Sequence, residues 1–266
     1  MPQTHRLTAG NPIQLSEVST RGRDYCDDRE AAEEEFRELR EQFIAQQVRL
    51  YAEGSQKLLI VLQAMDAGGK DSTIRRMCEG VNPQGVRVTS FKKPSSEELA
   101  HDFLWRIHKA VPAKGMIGIF NRSHYEDVLV VRVHNLVPES VWRPRYELIN
   151  QFEQHLTSSG TTILKIFLHI SRAEQKERFQ DRLDKPDKHW KFDVEDLNKR
   201  ALWDDYQNAF EDMLNNCTTD QAPWYVIPAD QKWYRNVAVM RIITDSLREM
   251  NPQFPASDDL RKIVID

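Results

Sequence analysis

The stretch 57-KLLIVLQAMDAGGKDST-73 decides the fold. Its first part, 57-KLLIVL-62, is a nearly unbroken apolar run of strand length, which predicts a strand buried on both faces. A Gly-Gly-Lys turn follows and opens into 74-IRRMCEG-80, which reads as a helix. Strand, glycine turn and helix in that order resemble the phosphate loop, Gly-x-x-x-x-Gly-Lys-Ser/Thr. The match is altered in two places. Ala64 replaces the first glycine, and Asp71 stands where the hydroxyl belongs. A further carboxylate, Asp66, lies inside the loop.

Outward from this segment the chain alternates apolar strand runs with helical patterns. The runs are 86-VRVTSF-91, 116-MIGIF-120, 162-TILKIFLHI-170 and 224-WYVIP-228. Helical periodicity covers about 28–51, 70–80, 96–109, 139–158, 173–184, 194–215 and 232–250. Phe36, Leu39, Phe43 and Val48 form the expected apolar stripe of the first helix, and 33-EEE-35 suits its N-terminal dipole. Alternating β and α with buried strands implies an α/β fold, with a mostly parallel five-stranded sheet covered on both faces. Residues 1–25 read as a polar, extended arm.

Bulk composition narrows the function. Hydrophobic residues make up 40% and charged residues 29% of 266, ordinary for a soluble globular chain. The net charge of −4 gives no general attraction to nucleic acid or an anionic membrane, so neither is expected as a partner. No apolar run approaches the roughly 20 residues that span a bilayer. The N-terminal MPQTHRLTAGNP lacks an apolar signal core, so a cytoplasmic location is expected. Cys26, Cys78 and Cys217 match no metal spacing and read as reduced thiols.

In such sheets ligands bind beyond the carboxyl ends of the strands. In the first loop, Gly68 and Gly69 allow close backbone approach, Lys70 adds a charge, and Ser72 or Thr73 reaches a phosphate or metal. A bare Asp66 would repel that phosphate unless a divalent cation lay between them. Mg²⁺ takes one or two carboxylates plus phosphate oxygens, so Asp66 reads as a metal ligand. Asp71 reads either as part of the loop chemistry or as a helix-start carboxylate. After the third strand, 121-NRSHYED-127 supplies Glu126 and Asp127 as candidates for the second metal-binding acid, with Asp127 preferred, and Arg122 as a phosphate clamp. Lys92 and Lys93 end the second strand. In 176-KERFQDRLDKPDKHWK-191, Arg178, Arg182 and Lys185 are spaced to share one helix face, and Lys188 continues the charge. A phosphate loop, strand-end acids and a long basic surface are the equipment of phosphoryl transfer.

The segments 65-MDAGGKDST-73, 120-FNRSHYEDVLV-130, 143-RPRYELINQFEQHL-156, 188-KHWKF-192 and 224-WYVIPADQKW-233 together resemble the polyphosphate kinase 2 family. The resemblance runs from about residue 35 to 250. It implies a P-loop kinase-like three-layer α/β/α fold: an N-terminal arm and helix over 1–50, a phosphotransferase domain over 51–266, and a basic lid at about 172–192. It also implies phosphate transfer between inorganic polyphosphate and AMP, ADP or ATP, with Mg²⁺, or Mn²⁺ in its place, held by Asp66 and Asp127. Polyphosphate contacts would fall on Ala67, Gly68, Gly69, Lys70, Asp71, Ser72, Thr73, Lys92, Lys93, Arg178, Arg182, Lys185 and Lys188. Nucleotide contacts would fall on Asp66, Asn121, Arg122, Ser123, Glu126 and Asp127, and catalysis on Asp66, Lys70, Asp127, Arg122 and Arg178. His124-Tyr125-Glu126-Asp127 resembles the subgroup that phosphorylates both AMP and ADP, where other members carry Trp-Tyr-Asn. Family likeness further implies a homo-oligomer, a dimer or tetramer. The competing readings are an ATP-dependent nucleoside monophosphate kinase and a non-catalytic polyanion-binding protein.

Overall fold

The computed structural model describes residues 5–256, so the ends of the expected 1–50 arm and 51–266 domain, residues 1–4 and 257–266, lie outside the described residues. Five strands, β1 (Lys57–Ala64), β2 (Val86–Ser90), β3 (Ile117–Asn121), β4 (Thr161–His169) and β5 (Trp224–Pro228), form one sheet in the order β2-β3-β1-β4-β5. All four pairings are parallel. Leu58 to Leu62 are fully buried at its centre, each side chain contributing about 1.5–3 kcal/mol by leaving water. β2 and β5 are the edge strands, and Val88 of β2 is exposed.

The helices are α1 (Arg29–Glu53), α2 (Lys70–Met77), α3 (Ser96–Leu99), α4 (Trp105–His108), α5 (Val130–Val133), α6 (Glu139–Trp142), α7 (Arg145–Ser158), α8 (Arg172–Asp184), α9 (Glu195–Ala201), α10 (Trp203–Asn216) and α11 (Lys232–Met250). Three expected helices are each broken in two. The 96–109 pattern becomes the single turns α3 and α4, the first opened by a Ser95/Glu98 capping box. The 139–158 pattern breaks before Arg145, where Pro144 supplies no N–H to continue the ladder. The 194–215 pattern breaks at Leu202, which separates α9 from α10.

α1 starts at Asp28, whose side chain accepts from the Ala31 N–H, and stops at a left-handed Gly54. It packs along α11, tied by the Arg241–Glu35 ion pair and by Thr244 Oγ1 donating to the Leu39 carbonyl. Its buried seam is Phe36, Leu39, Phe43, Gln47 and Leu50. Val48, expected in the stripe, is exposed instead, because steps of three and four residues from Phe43 reach Gln47 and Leu50. Of the expected extended arm, residues 6 and 7 run beside β5, where Leu7 N–H donates to the Trp224 carbonyl and Arg6 bridges antiparallel to Tyr225, while Leu15–Glu17 and Gly22–Asp24 form 3₁₀ turns and Leu15 is buried. Among the described residues no helix is long and apolar enough to cross a membrane.

The strand order fixes where a ligand can sit. From β1 the chain crosses to one side of the sheet, and from β3 it crosses back to the other. The carboxyl ends of β1 and β3 therefore lie side by side at a topological switch point, with Leu62 in register with Asn121. The loops after these two strands carry the residues singled out by the sequence.

Candidate active site

The loop after β1 is tight. Gly68 N–H donates to the Met65 carbonyl at 2.9 Å, and Gly69, at φ +103°, caps α2. A Cβ on Gly68 would lie 2.5 Å from Ala64 Cβ and 2.8 Å from the Met65 carbonyl oxygen, so the turn closes only with glycine there. Ala67 takes a left-handed φ of 60°, and its carbonyl accepts from Arg178 Nη1 at 2.9 Å. Lys70 folds back beneath the loop, donating to the Ala64 carbonyl at 2.9 Å. Burial, with Arg122 adding to it, brings the Lys70 ammonium down to about 8, against the pull of Asp66. Ser72 and Thr73 hydroxyls both bond the Gly69 carbonyl. Asp71 accepts from Asn121 Nδ2 at 2.6 Å, joining the two loops at the mouth of the site.

Asp66 is the centre of a cation cluster. Arg122 Nη2 donates to Oδ1 at 2.7 Å, and Lys199 Nζ lies 3.2 Å from Oδ2. Burial pushes the Asp66 carboxyl upward, but Arg122, Lys70 and Lys199 outweigh it and hold it below the usual carboxylate range. Arg122 also reaches Glu126 at 3.5 Å. Asp66, Arg122, Glu126, Lys199, Tyr206 and Phe210 line one narrow cleft. Asp127 does not line it. Its carboxylate faces Arg145 at 3.2 Å, and burial raises it to about 6 despite the opposing Arg145 and Arg106. The structure thus brings Glu126, rather than Asp127, into the cleft of Asp66.

The loop after β3 is held from below. Ser123 is fully buried; its hydroxyl accepts from Gln63 Nε2 and from the Tyr125 N–H, so it faces the core and not the cleft. Tyr125 donates to Glu153 Oε1 at 2.7 Å, Lys165 Nζ lies 2.6 Å from Glu153 Oε2, and His124 Nε2 lies 3.2 Å from Oε1. Lys165 and His124 hold the Glu153 carboxylate charged against the opposing push of full burial. This ionic core fixes the two residues that precede Glu126.

The basic residues separate into distinct places. Arg178 is buried against the phosphate loop, bonded to Glu174, Ala67 and Ala229. Arg182 bonds the Lys191 carbonyl and Asp196. Lys185 leaves the shared face, because α8 ends at Asp184 and Lys185 turns to extended backbone. Lys185 and Lys188 both pair with Asp181 at 2.5 Å. Lys92 and Lys93 line a separate pocket at the end of β2 with Arg87, Trp105, Arg106 and Lys109. Sequence reasoning missed Lys199, Tyr206 and Arg145. Nothing local marks Lys199, which sits in an ordinary charged run, 195-EDLNKR-200.

A parallel sheet in this order, with a Gly-Gly-Lys loop opening a helix from its central strand, defines a P-loop kinase-like protein. The profile of the family described as polyphosphate kinase 2 (PPK2) matches residues 26–255, and the chain belongs to that family. An AMP/ADP-polyphosphate phosphotransferase of Meiothermus ruber is 58% identical over 218 residues, 82% of each chain. An ADP-polyphosphate phosphotransferase of Rhodopseudomonas palustris is 40% identical over 97% of this chain and 93% of its own. The crystal structure of polyphosphate kinase 2 from Arthrobacter aurescens TC1 superposes with a TM-score of 0.92 at 41% identity, covering 97% of this chain and 92% of that one.

Proposed function

We propose that this chain transfers the terminal phosphate of inorganic polyphosphate to AMP and to ADP, giving ADP and ATP, in a reversible reaction. The observation that carries the reading is Asp66, set in the phosphate loop and neutralised by Arg122, Lys70 and Lys199. An oxygen of the acceptor's terminal phosphate attacks the end phosphorus of the chain. One P–O bond forms, the P–O–P bridge breaks, and the shortened polyphosphate leaves with the bridging oxygen. Positioning and charge neutralisation supply most of the rate in such a transfer. Gly68, Gly69 and the start of α2 hold the donor phosphate with backbone N–H groups, and Lys70 and Arg178 add positive charge there. Arg122 orients the acceptor phosphate, and Glu126 in the cleft bears on whether AMP is accepted.

The oxygen donors suit Mg²⁺, with Mn²⁺ in its place. Among the described residues no three His, Cys, Asp or Glu side chains cluster. Mg²⁺ bridged to phosphates needs only one or two carboxylates, and Asp66 with Glu126 or Asp127 would supply them. Bound there, the ion would neutralise charge on the transferring phosphoryl group. Residues 172–192 serve as the lid over the domain, excluding water from the transfer. The enzyme acts in the cytoplasm as a homo-oligomer, dimer or tetramer. Exposed Val48 and Tyr51 on α1 support that helix as part of the contact.

The test is a chromatographic nucleotide assay with long-chain polyphosphate, AMP and Mg²⁺, run beside Asp66→Asn. ADP followed by ATP, lost in the variant, is the expected result. Reaction only with added ADP removes AMP as an acceptor. Product only when ATP replaces polyphosphate overturns the donor assignment.

A further inference from the structure

Arg235, on α11, is 1% exposed. Its Nε and Nη2 both donate to Asn236 Oδ1, at 3.3 and 2.8 Å. Its Nη1 is buried with no hydrogen-bond partner among the described residues. That atom faces Gly69, where an added Cβ would collide with it, and Arg178 Nη1 lies 3.5 Å from the same point. Gly69 caps α2, so two guanidinium groups converge on a helix end that already carries positive partial charge. Arg178 is satisfied by Glu174 and by carbonyl oxygens, whereas among the described residues no carboxylate bonds Arg235. Burial, with Arg178 adding to it, drops the Arg235 guanidinium to about 9, a large fall for a group that ordinarily never loses its proton. Lys232, one turn earlier on α11, feels both arginines.

An unpartnered buried donor costs roughly 1–3 kcal/mol, and more when charged. Core packing does not call for such a group, and an anion would remove the cost. Lys232 and Asn236 also line a groove of about 660 Å³ between α1, α2 and α11, together with Arg40 and Arg76, both paired with Glu79, and with Glu33, Glu174 and Asp230. We infer that Arg235 and Lys232 bind the internal phosphates of the polyphosphate donor, behind the one transferred, and so set the dependence on chain length. This rests on the polyphosphate reading above.

Calorimetric binding of tripolyphosphate, with no nucleotide present, tests the site apart from turnover. Arg235→Gln should weaken that binding by about tenfold or more, a loss of ~1.4 kcal/mol. Arg235→Lys should restore part of it. The KM for long-chain polyphosphate should rise while the KM for AMP stays level, and the melting temperature without ligand should hold or rise, since an unpaired buried charge is gone. A folded Arg235→Gln protein with unchanged tripolyphosphate affinity overturns the inference. If that variant does not fold, Lys232→Gln carries the same comparison. Wild-type protein that binds tripolyphosphate through Arg235 but makes no ADP from polyphosphate would sink the proposed function and leave the anion site standing.

Discussion

Lys199, on α9, reaches across the cleft to Asp66 in the loop after β1, with Nζ 3.2 Å from Oδ2. α9 follows the basic segment after α8, so this ion pair ties that part of the chain to the loop after β1. The pair is mostly enclosed, with side-chain exposures of 23% and 17%, so solvent screens it less than a surface pair.

Lys199→Ala should therefore lower kcat/KM by about tenfold to a hundredfold, a loss of ~1.4–2.8 kcal/mol in the transition state. Asp66 would keep Arg122, so the fold should persist. Steady-state kinetics beside thermal melting checks this. Unchanged kcat/KM would remove Lys199 from the site.

Lys165 and Glu153 form a fully buried pair that also holds Tyr125 and His124. Lys165→Met leaves Glu153 charged in the core, and removal of one partner from such a pair costs roughly 3–5 kcal/mol. Lys165→Met with Glu153→Leu should cost clearly less than the two single changes summed. Urea denaturation of the four proteins in the cycle measures the difference. Additive costs would mean that the two charges act independently.

Residues that act through sequence neighbours were legible, and residues that act through space were not. The loop at 63–73 is contiguous, so its glycines and Lys70 carry a local pattern that needs no knowledge of the rest of the chain. The central strands stood out because a strand buried on both faces needs an unbroken apolar run, and 57–62 is one, whereas β2, with Arg87 and Thr89 in it, is largely exposed. Lys199 meets Asp66 only because α9 folds back over β1, and no local pattern records that contact. The sequence reading preferred Asp127 over the adjacent Glu126, but no local pattern records which of the two faces the cleft, and it is Glu126 that lines it with Asp66. The 3₁₀ turn at His124–Asp127 decides it, sending Glu126 to Arg122 and Asp127 to Arg145. The shared face expected for Arg178, Arg182 and Lys185 assumed that the helix continued, whereas Lys185 already lies beyond its end.

His169, at the end of β4, is buried, and burial lowers it from 6.5 to about 4 despite Asp230 nearby. The folded state therefore holds it neutral, while the unfolded chain takes up a proton near pH 6.5. Its contribution is present above pH 6.5 and is lost as pH falls through about 4, an effect of roughly 3 kcal/mol for a shift of this size. The proton linkage of His169→Gln should be weaker across that window. Melting temperatures from pH 7 down to pH 4 should then fall less steeply than in the wild type. Parallel curves would show that His169 is not the group being protonated.

Gly68 separates loop geometry from stability. An alanine Cβ there would sit 2.5 Å from Ala64 Cβ and 2.8 Å from the Met65 carbonyl oxygen, and neither atom belongs to a flexible side chain. The loop must open to relieve the clash, which breaks the Gly68–Met65 turn and shifts the backbone N–H groups that precede α2. Overpacking of this kind costs about 1–3 kcal/mol in stability. The phosphate site should suffer more, because displacement of a bound group by about 1 Å is enough to lose a hundredfold in rate. Gly68→Ala should thus remain folded at 25 °C and lose turnover by about a hundredfold. Melting temperature and initial rate, measured on one preparation, check both halves. Full activity at lowered stability would show that the loop tolerates the shift and that its backbone N–H groups do not hold the donor.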